Sequence, residues 1–219
     1  MSEMKHSDGG LIDQLKAFIP FNEQEMRDRE VILDALLKHR ESIFLRTSLL
    51  AHMTASAWVI SPDAKQVLMA YHKIYDAWSW LGGHADGDTD LMAVALREVR
   101  EESGLEHVIP VTDKIYSVET LTVDGHEKQG VYVPSHLHLN VTYLLMADPS
   151  DPLRINREEN SGVQWFEKDA AVRASSEIWF RERIYSKLNQ KLDEGCIRDS
   201  IASAGLRMKA SDWHSRESL

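Results

Sequence analysis

The strongest structural signal in the chain comes from residues 81–105, which read LGGHADGDTDLMAVALREVREESGL. The opening glycines predict a loop, and the apolar residues that follow recur at helical spacing, namely Leu91, Val94, Ala95 and Val99. Asp88 or Thr89 is the expected N-cap of this helix, with Asp90 in its first turn. Gly104 is the expected left-handed stop at its end. The stretch therefore predicts a glycine loop that leads into an amphipathic helix.

Three carboxylates share one face of that predicted helix, because Glu98, Glu101 and Glu102 stand at i, i+3 and i+4. Two such charges about 5 Å apart repel each other by about 3 kcal/mol at an effective dielectric constant near 20. A hard divalent cation reverses the sign of this interaction, and Mg²⁺ prefers such oxygen ligands. The other interpretation is a solvated acidic face, since pairs of glutamates are common on exposed helices.

The stretch resembles the Nudix box, whose pattern is G-x5-E-x7-R-E-U-x-E-E-x-G-U with U an aliphatic residue. The positions in register are Gly83, Arg97, Glu98, Val99, Glu101, Glu102, Gly104 and Leu105. The early glutamate of the pattern is replaced by Thr89 in this sequence. In the family that glutamate mainly helps to hold the arginine, so Asp88 or Asp90 is expected to support Arg97 here.

The resemblance implies an α/β fold of the Nudix type, an α/β/α sandwich with a mixed β-sheet and with helical extensions at both ends. We expect an N-terminal helical extension over residues 1–48, the Nudix hydrolase domain over 49–170, and C-terminal helices and a tail over 171–219. The order strand, glycine loop and acidic helix agrees with the way in which that fold presents its box.

The resemblance also implies a function, the Mg²⁺-dependent hydrolysis of a diphosphate linkage in a nucleoside diphosphate derivative, with Mn²⁺ as a substitute metal. ADP-ribose-like or nucleotide-sugar substrates are slightly favoured. The implied metal ligands are Glu98, Glu101, Glu102 and the backbone carbonyl of Gly82. The implied catalytic residues are Glu101, Glu98 and Arg97, with Arg97 orienting a glutamate by a charge-assisted hydrogen bond. A proton-accepting carboxylate from outside the box is also expected, and Glu158, Glu159 and Glu177 are the candidates.

A second class of function stays open, a Nudix-like domain that senses a nucleotide and regulates a partner without turnover. Thr89 in place of the early glutamate is the feature that supports it. An isomerase of the isopentenyl-diphosphate type would need a cysteine acid at the site, and the single cysteine, Cys196, is expected instead to be buried apolar filler.

Histidines supply the other candidate site residues. On the strand predicted over residues 137–147, His136 and His138 share one face with Asn140 and Thr142, and this face is expected to meet water or a cleft. Gly83, His84, His136 and His138 are the predicted substrate-binding residues. For His84 a hydrogen bond that orders the loop is the alternative. For His136 and His138 the alternative is zinc, since two imidazoles on one strand face can chelate it.

Composition limits the remaining possibilities. The 219 residues carry a net charge of −10 and no cluster of Lys and Arg, which argues against a nucleic-acid partner. With no basic leader or apolar run of membrane-spanning length, we expect a cytoplasmic protein without a membrane partner. A homodimer is the default expectation for assembly.

Outside the box the pattern predicts a helix ending at Pro20 and a second from Asn22 to about Arg40. The apolar stripe of the second helix is predicted at Met26, Val31, Ile32, Ala35 and Leu36. Strands are predicted at residues 54–60, 66–72, 76–81, 115–123, 137–147 and 162–166. Residues 169–195 read as helical, with the packing face at Ile178, Phe180, Ile184, Tyr185 and Leu188, and the stretch from Asp199 has only weak patterning.

Overall fold

The structure is a computed structural model that describes residues 9–73, 76–128, 130–158 and 160–216. It divides into two compact units: residues 1–56, 82–95 and 114–143 form the first, and residues 57–81, 96–113 and 144–219 form the second. One helix and three strands contribute residues to both units.

Two helices open the first unit, α1 at Gly9–Ala17 and α2 at Glu23–His39, followed by a 3₁₀ turn at Arg40–Phe44. The Asn22 side-chain oxygen accepts a hydrogen bond from the Glu25 amide at 2.9 Å. The Glu25 carboxylate in turn accepts one from the Phe21 amide at 2.7 Å. This reciprocal capping satisfies two backbone donors at the start of α2 and confirms the predicted cap at Asn22.

The strands with residues in the first unit are β1 at Ala51–Ile60, β4 at Leu81–His84, β6 at Ser117–Val123, β7 at His126–Lys128, β8 at Val131–Val133 and β9 at His136–Ala147. β6 pairs antiparallel with β9 from Ser117 opposite Thr142 to Val123 opposite His136. β7 and β8 form a separate hairpin that the sequence did not predict. The predicted strands at 54–60, 115–123 and 137–147 are confirmed as elements.

The polar face of β9 differs from the prediction, because much of it is buried. Asn140 and Thr142 are 1% and 0% exposed, and so neither meets water. The Asn140 amide nitrogen and the Thr142 hydroxyl both donate to Glu119 of β6, at 3.0 and 2.9 Å. Thr54 and Ser56 of β1 donate to the Asn140 side-chain oxygen, each at 2.9 Å. Mutual hydrogen bonding is what allows these polar groups to be buried.

The second unit contains the remaining elements: β2 at Gln66–His72, β3 at Ala77–Ser79, β5 at Val108–Pro110, β10 at Asn160–Glu167, α4 at Lys168–Ala174, a π-helical turn at Phe180–Tyr185, α5 at Ser186–Leu192 and α6 at Gly195–Arg216. β2 lies between β10 and β1 and also pairs with β3, while β5 pairs with the end of β9. Helix α3, Leu91–Ser103, begins in the first unit and ends in the second. The predicted α/β class is confirmed. Among the described residues, no helix is long and apolar enough to cross a membrane.

Four details of the sequence prediction are wrong. Val31 of α2 is 44% exposed, and buried Glu25 takes a place on the packed face of that helix. Ile178 is 66% exposed because it lies before the π-helical turn whose Ile184 and Tyr185 are buried. Cys196 is exposed rather than buried. The weakly patterned stretch from Asp199 belongs to α6, a helix that the sequence analysis missed.

Candidate active site

The start of α3 is fixed by Asp90, which corrects the predicted cap at Asp88 or Thr89. The Asp90 carboxylate accepts a hydrogen bond from the Ala93 amide at 3.1 Å, the bond that an N-cap side chain makes to the third helical residue. The Asp88 carboxylate accepts one from the Asp90 amide at 3.0 Å. The apolar stripe is buried as predicted, since Leu91, Val94, Ala95 and Val99 are each at most 2% exposed.

The end of α3 is held by two contacts within the second unit. Gly104 has φ +71°, and its amide donates to the Arg100 carbonyl at 2.9 Å, which confirms the predicted left-handed stop. A Cβ at this position would lie 2.7 Å from the Arg154 Cβ. The Asn160 side-chain nitrogen donates to the Glu102 carbonyl at 2.8 Å, a buried bond that satisfies one of the last-turn carbonyls that have no partner within the helix. Nothing in the sequence pointed to this role of Asn160.

The three box carboxylates differ strongly in exposure. The side chain of Glu101 is 55% exposed and that of Glu98 is 14% exposed, while Glu102 is 2% exposed as a whole residue. Their oxygens are the hard donors that Mg²⁺ prefers. The residue types of α3 therefore fit the divalent metal that the sequence implied, but the three glutamates are not a group of described residues whose ligand atoms converge in this structure. Gly82 belongs to the first unit, and these glutamates belong to the second.

Arg97 lies next to the two glutamates that it is expected to orient. Its Nη2 is 3.8 Å from the Glu98 Oε1, and its Nε is 4.0 Å from the Glu101 Oε1. Both distances are those of ion pairs and exceed the hydrogen-bond range. Arg97 is thus close enough to attract both carboxylates, and the charge-assisted hydrogen bond that the resemblance implies stays a prediction.

The carboxylates expected from outside the box as proton acceptors differ in their surroundings. Glu159 lies outside the described residues, and Glu158 is exposed. Glu177 is half-buried, and its burial raises the pKa of this carboxyl above the ordinary value. A raised pKa brings a carboxylate nearer to the range in which it accepts a proton effectively at neutral pH. Glu177 is therefore the candidate with an electrostatic argument in its favour.

The glycines that were predicted to form a loop lie in strand β4 instead, and the loop comes after it. A Cβ on Gly82 would lie 2.5 Å from the Ala55 carbonyl oxygen and 2.7 Å from the Ser56 Cα of β1. Glycine at this position is therefore required by the close approach of two backbones in the sheet. Gly83 is the next residue of the same strand.

The predicted substrate-binding histidines converge in the first unit. The His84 and His138 ring centroids are 4.8 Å apart, and those of His136 and His138 are 5.0 Å apart. His52 of β1 joins them, with its ring centroid 4.8 Å from that of His136. The sequence analysis missed His52, whose one signal was a histidine two residues before the strand predicted over residues 54–60.

Residues 50–188 match the family model described as NUDIX domain. Because this match covers more than half of the chain, the protein belongs to the Nudix family. The predicted enzyme class, a Nudix-type pyrophosphohydrolase, agrees with this membership. A comparison with curated proteins finds no significant match.

Several solved structures are similar to this chain at low identity. An Ap4A hydrolase binary complex from C. elegans is 17% identical, with a TM-score of 0.44, over 64% of this chain and 93% of that one. A NUDIX-family hydrolase from Clostridium perfringens is 20% identical, with a TM-score of 0.45, over 65% and 96%. The NUDIX domain of Shewanella oneidensis NrtR complexed with ADP ribose is 14% identical, with a TM-score of 0.46, over 73% and 97%.

Proposed function

We propose that this protein is a Mg²⁺-dependent Nudix hydrolase that cleaves the diphosphate linkage of a nucleoside diphosphate derivative. Mn²⁺ is the expected substitute metal, and among the candidate substrates we slightly favour ADP-ribose-like compounds and nucleotide sugars. The observation that carries the proposal is the set of three carboxylates at Glu98, Glu101 and Glu102 in α3, beside Arg97. The resemblance adds the Gly82 carbonyl as a metal ligand, but the proposal rests on the helix alone.

The side chains of α3 have distinct parts in this proposal. Glu98 and Glu102, which are largely buried, hold the metal, while exposed Glu101 both binds it and is open to solvent. A bound divalent cation neutralises phosphate oxygens and lowers the pKa of water, which makes hydroxide available near neutral pH. Arg97 attracts the Glu98 and Glu101 carboxylates through its positive charge and so helps to orient them.

Proton transfer is assigned to carboxylates of this chain. Glu101 or Glu98 takes the proton of the attacking water, or Glu177 does so from outside the box, where burial raises the pKa of its carboxyl. Gly83, His84, His136 and His138 are proposed to contact the substrate. The boundaries at residues 48 and 170, the cytoplasmic location and the homodimer stay predictions.

The test is a panel of ADP-ribose, nucleotide sugars, dinucleoside polyphosphates and nucleoside triphosphates, incubated with Mg²⁺ or Mn²⁺ and with EDTA. Phosphate and nucleotide products are followed together, because their ratio shows which bond is cut. EDTA-sensitive cleavage supports the proposal, and the substrate cleaved fastest identifies the class. Absence of cleavage, together with a nucleotide that raises the melting temperature, would replace the hydrolase by the sensing domain.

A further inference from the structure

Four histidines from three strands lie together in the first unit, at the start of β1, the end of β4 and the start of β9. The His52 ring centroid is 5.1 Å from that of His84 and 5.0 Å from that of His138. One ring nitrogen from each of His52, His84 and His138 lies within 4.8 Å of the other two. Among the described residues, no other group of three His, Cys, Asp or Glu side chains brings its potential ligand atoms together in this way.

His52 carries a ring lone pair that has no hydrogen-bond partner among the described residues. Its Nδ1 is 3.2 Å from the Ser48 carbonyl oxygen, and a carbonyl only accepts, so the ring proton is on Nδ1. The lone pair is then on Nε2, a buried atom without a hydrogen-bond partner among the described residues. His52 as a whole is 5% exposed. A backbone carbonyl that fixes the tautomer in this way is the usual outer partner of a metal-bound histidine.

His136 is placed as an outer partner of the group. Its Nδ1 donates to the Pro134 carbonyl at 2.8 Å, and its Nε2 is 3.2 Å from the His138 Nε2. This bond uses one ring nitrogen of His138 and leaves the other for a ligand. An outer hydrogen bond of this kind orients the ring of a ligating histidine.

We propose that His52, His84 and His138 bind one divalent transition-metal ion of the zinc type, with a set of ligands different from the carboxylates of α3. Three imidazoles suit Zn²⁺ and related ions, whereas Mg²⁺ prefers oxygen ligands. Since His84 and His138 are only half-buried, the fourth tetrahedral position is open to a water or to one anionic oxygen. The proposal does not rest on the hydrolase function, because it concerns a different donor set.

The first test is metal binding to the whole protein after chelator treatment, with Co²⁺ and Zn²⁺ as probes. We expect one equivalent of Co²⁺ to give the intense visible absorption of tetrahedral coordination, to be displaced by Zn²⁺ and to be retained in excess Mg²⁺. Weak octahedral absorption, or displacement by Mg²⁺, would overturn the proposal. The readout is independent of turnover, so a failure of hydrolysis does not affect it.

The second test assigns the ligands. H84N and H138N are each expected to weaken Zn²⁺ binding by more than about 100-fold, beyond the loss that removal of an outer partner causes. The matched control is H107N, since the His107 side chain is 73% exposed and lies in the second unit. H107N and E101Q should both bind Zn²⁺ as the unchanged protein does. Unaltered affinity in H84N and H138N, or equal loss in H107N, would refute the assignment.

A measurement on the unchanged protein covers the case in which a variant does not fold. Imidazole nitrogen resonances should shift on addition of Zn²⁺ for His52, His84 and His138, and to a smaller extent for His136. Shifts confined to other histidines among the ten in the chain would contradict the site.

Discussion

Replacing Glu101 by glutamine separates a metal-binding role from a structural one. The change removes one charge from the box while keeping the shape of the side chain. Glu101 is 55% exposed, and its ion pair with Arg97 spans 4.0 Å. An exposed pair of this length contributes about 0–1 kcal/mol to stability, which corresponds to a change in Tm of at most about 2–4 °C for a chain of this size. The fold should therefore tolerate the change.

The effect of the same change on turnover should be far larger. Loss of a preorganised charged group at a reacting centre costs about 2–3 kcal/mol or more, which lowers kcat/KM by roughly 30- to 160-fold. The assay is Mg²⁺-dependent cleavage of the best substrate from the panel, with thermal unfolding measured on the same preparation. The expected result is a large loss of turnover with a nearly unchanged Tm.

Glu106→Gln is the matched control, because it makes the same chemical change at a glutamate that lies outside α3. The Glu106 side chain is 77% exposed and pairs with Arg154 at 3.2 Å. It should keep both turnover and Tm. The reasoning would be refuted if the Glu101 variant turned over substrate as the unchanged protein does, or if the Glu106 variant lost as much activity.

Two further predictions concern α3 and the candidate base. Asp90→Ala removes the side chain that caps α3 at the Ala93 amide and should lower the free energy of unfolding by about 1 kcal/mol. Asp90→Asn should keep most of the capping free energy, because asparagine also caps helices. Equal losses for the two variants in denaturant titrations would exclude capping as the cause. Burial raises the pKa of Glu177, so the native state holds this proton more tightly than the unfolded state. Stability should then fall as pH rises through the ordinary carboxyl pKa towards the raised one. Glu177→Gln should consequently be more stable relative to the unchanged protein at pH 7 than at pH 4, and an equal difference at both pH values would contradict the desolvation argument.

The elements of the fold were largely predictable because local pattern and burial agree in them. β2 was predicted over the residues that it occupies, and Asn22 and Gly104 mark helix boundaries as expected. In each case a short-range rule suffices, either a period of two or the chemistry of a cap. The N-cap was predicted at Asp88 or Thr89 instead of Asp90. All three residues are of types that cap helices, and only the geometry of the folded chain shows which one does so.

Other features depend on contacts between distant parts of the chain, which periodicity does not reveal. The polar face of β9 was expected to meet water, yet Asn140 is buried by partners on two other strands. His52 joins His138 across a separation that no motif spans. Gly82 was assigned to a loop because glycine usually marks one, but here it permits a close approach to β1. These are the places where tertiary context overrides local propensity.

The buried polar residues of the first unit have a consequence for folding as well as for packing. Side chains alternate along a strand, so a slip of one residue between β6 and β9 would place Val118 or Val141 where a hydrogen-bonding group is needed. Such a slip would leave the Glu119 carboxylate buried among apolar groups, at a cost of several kcal/mol. Ser117 extends the same pattern to α2, because its hydroxyl donates to the buried Glu25 carboxylate at 2.7 Å. These buried hydrogen bonds thus make misaligned pairings of β6 and β9 unfavourable. They also make helix α2 part of the alignment rather than a removable addition.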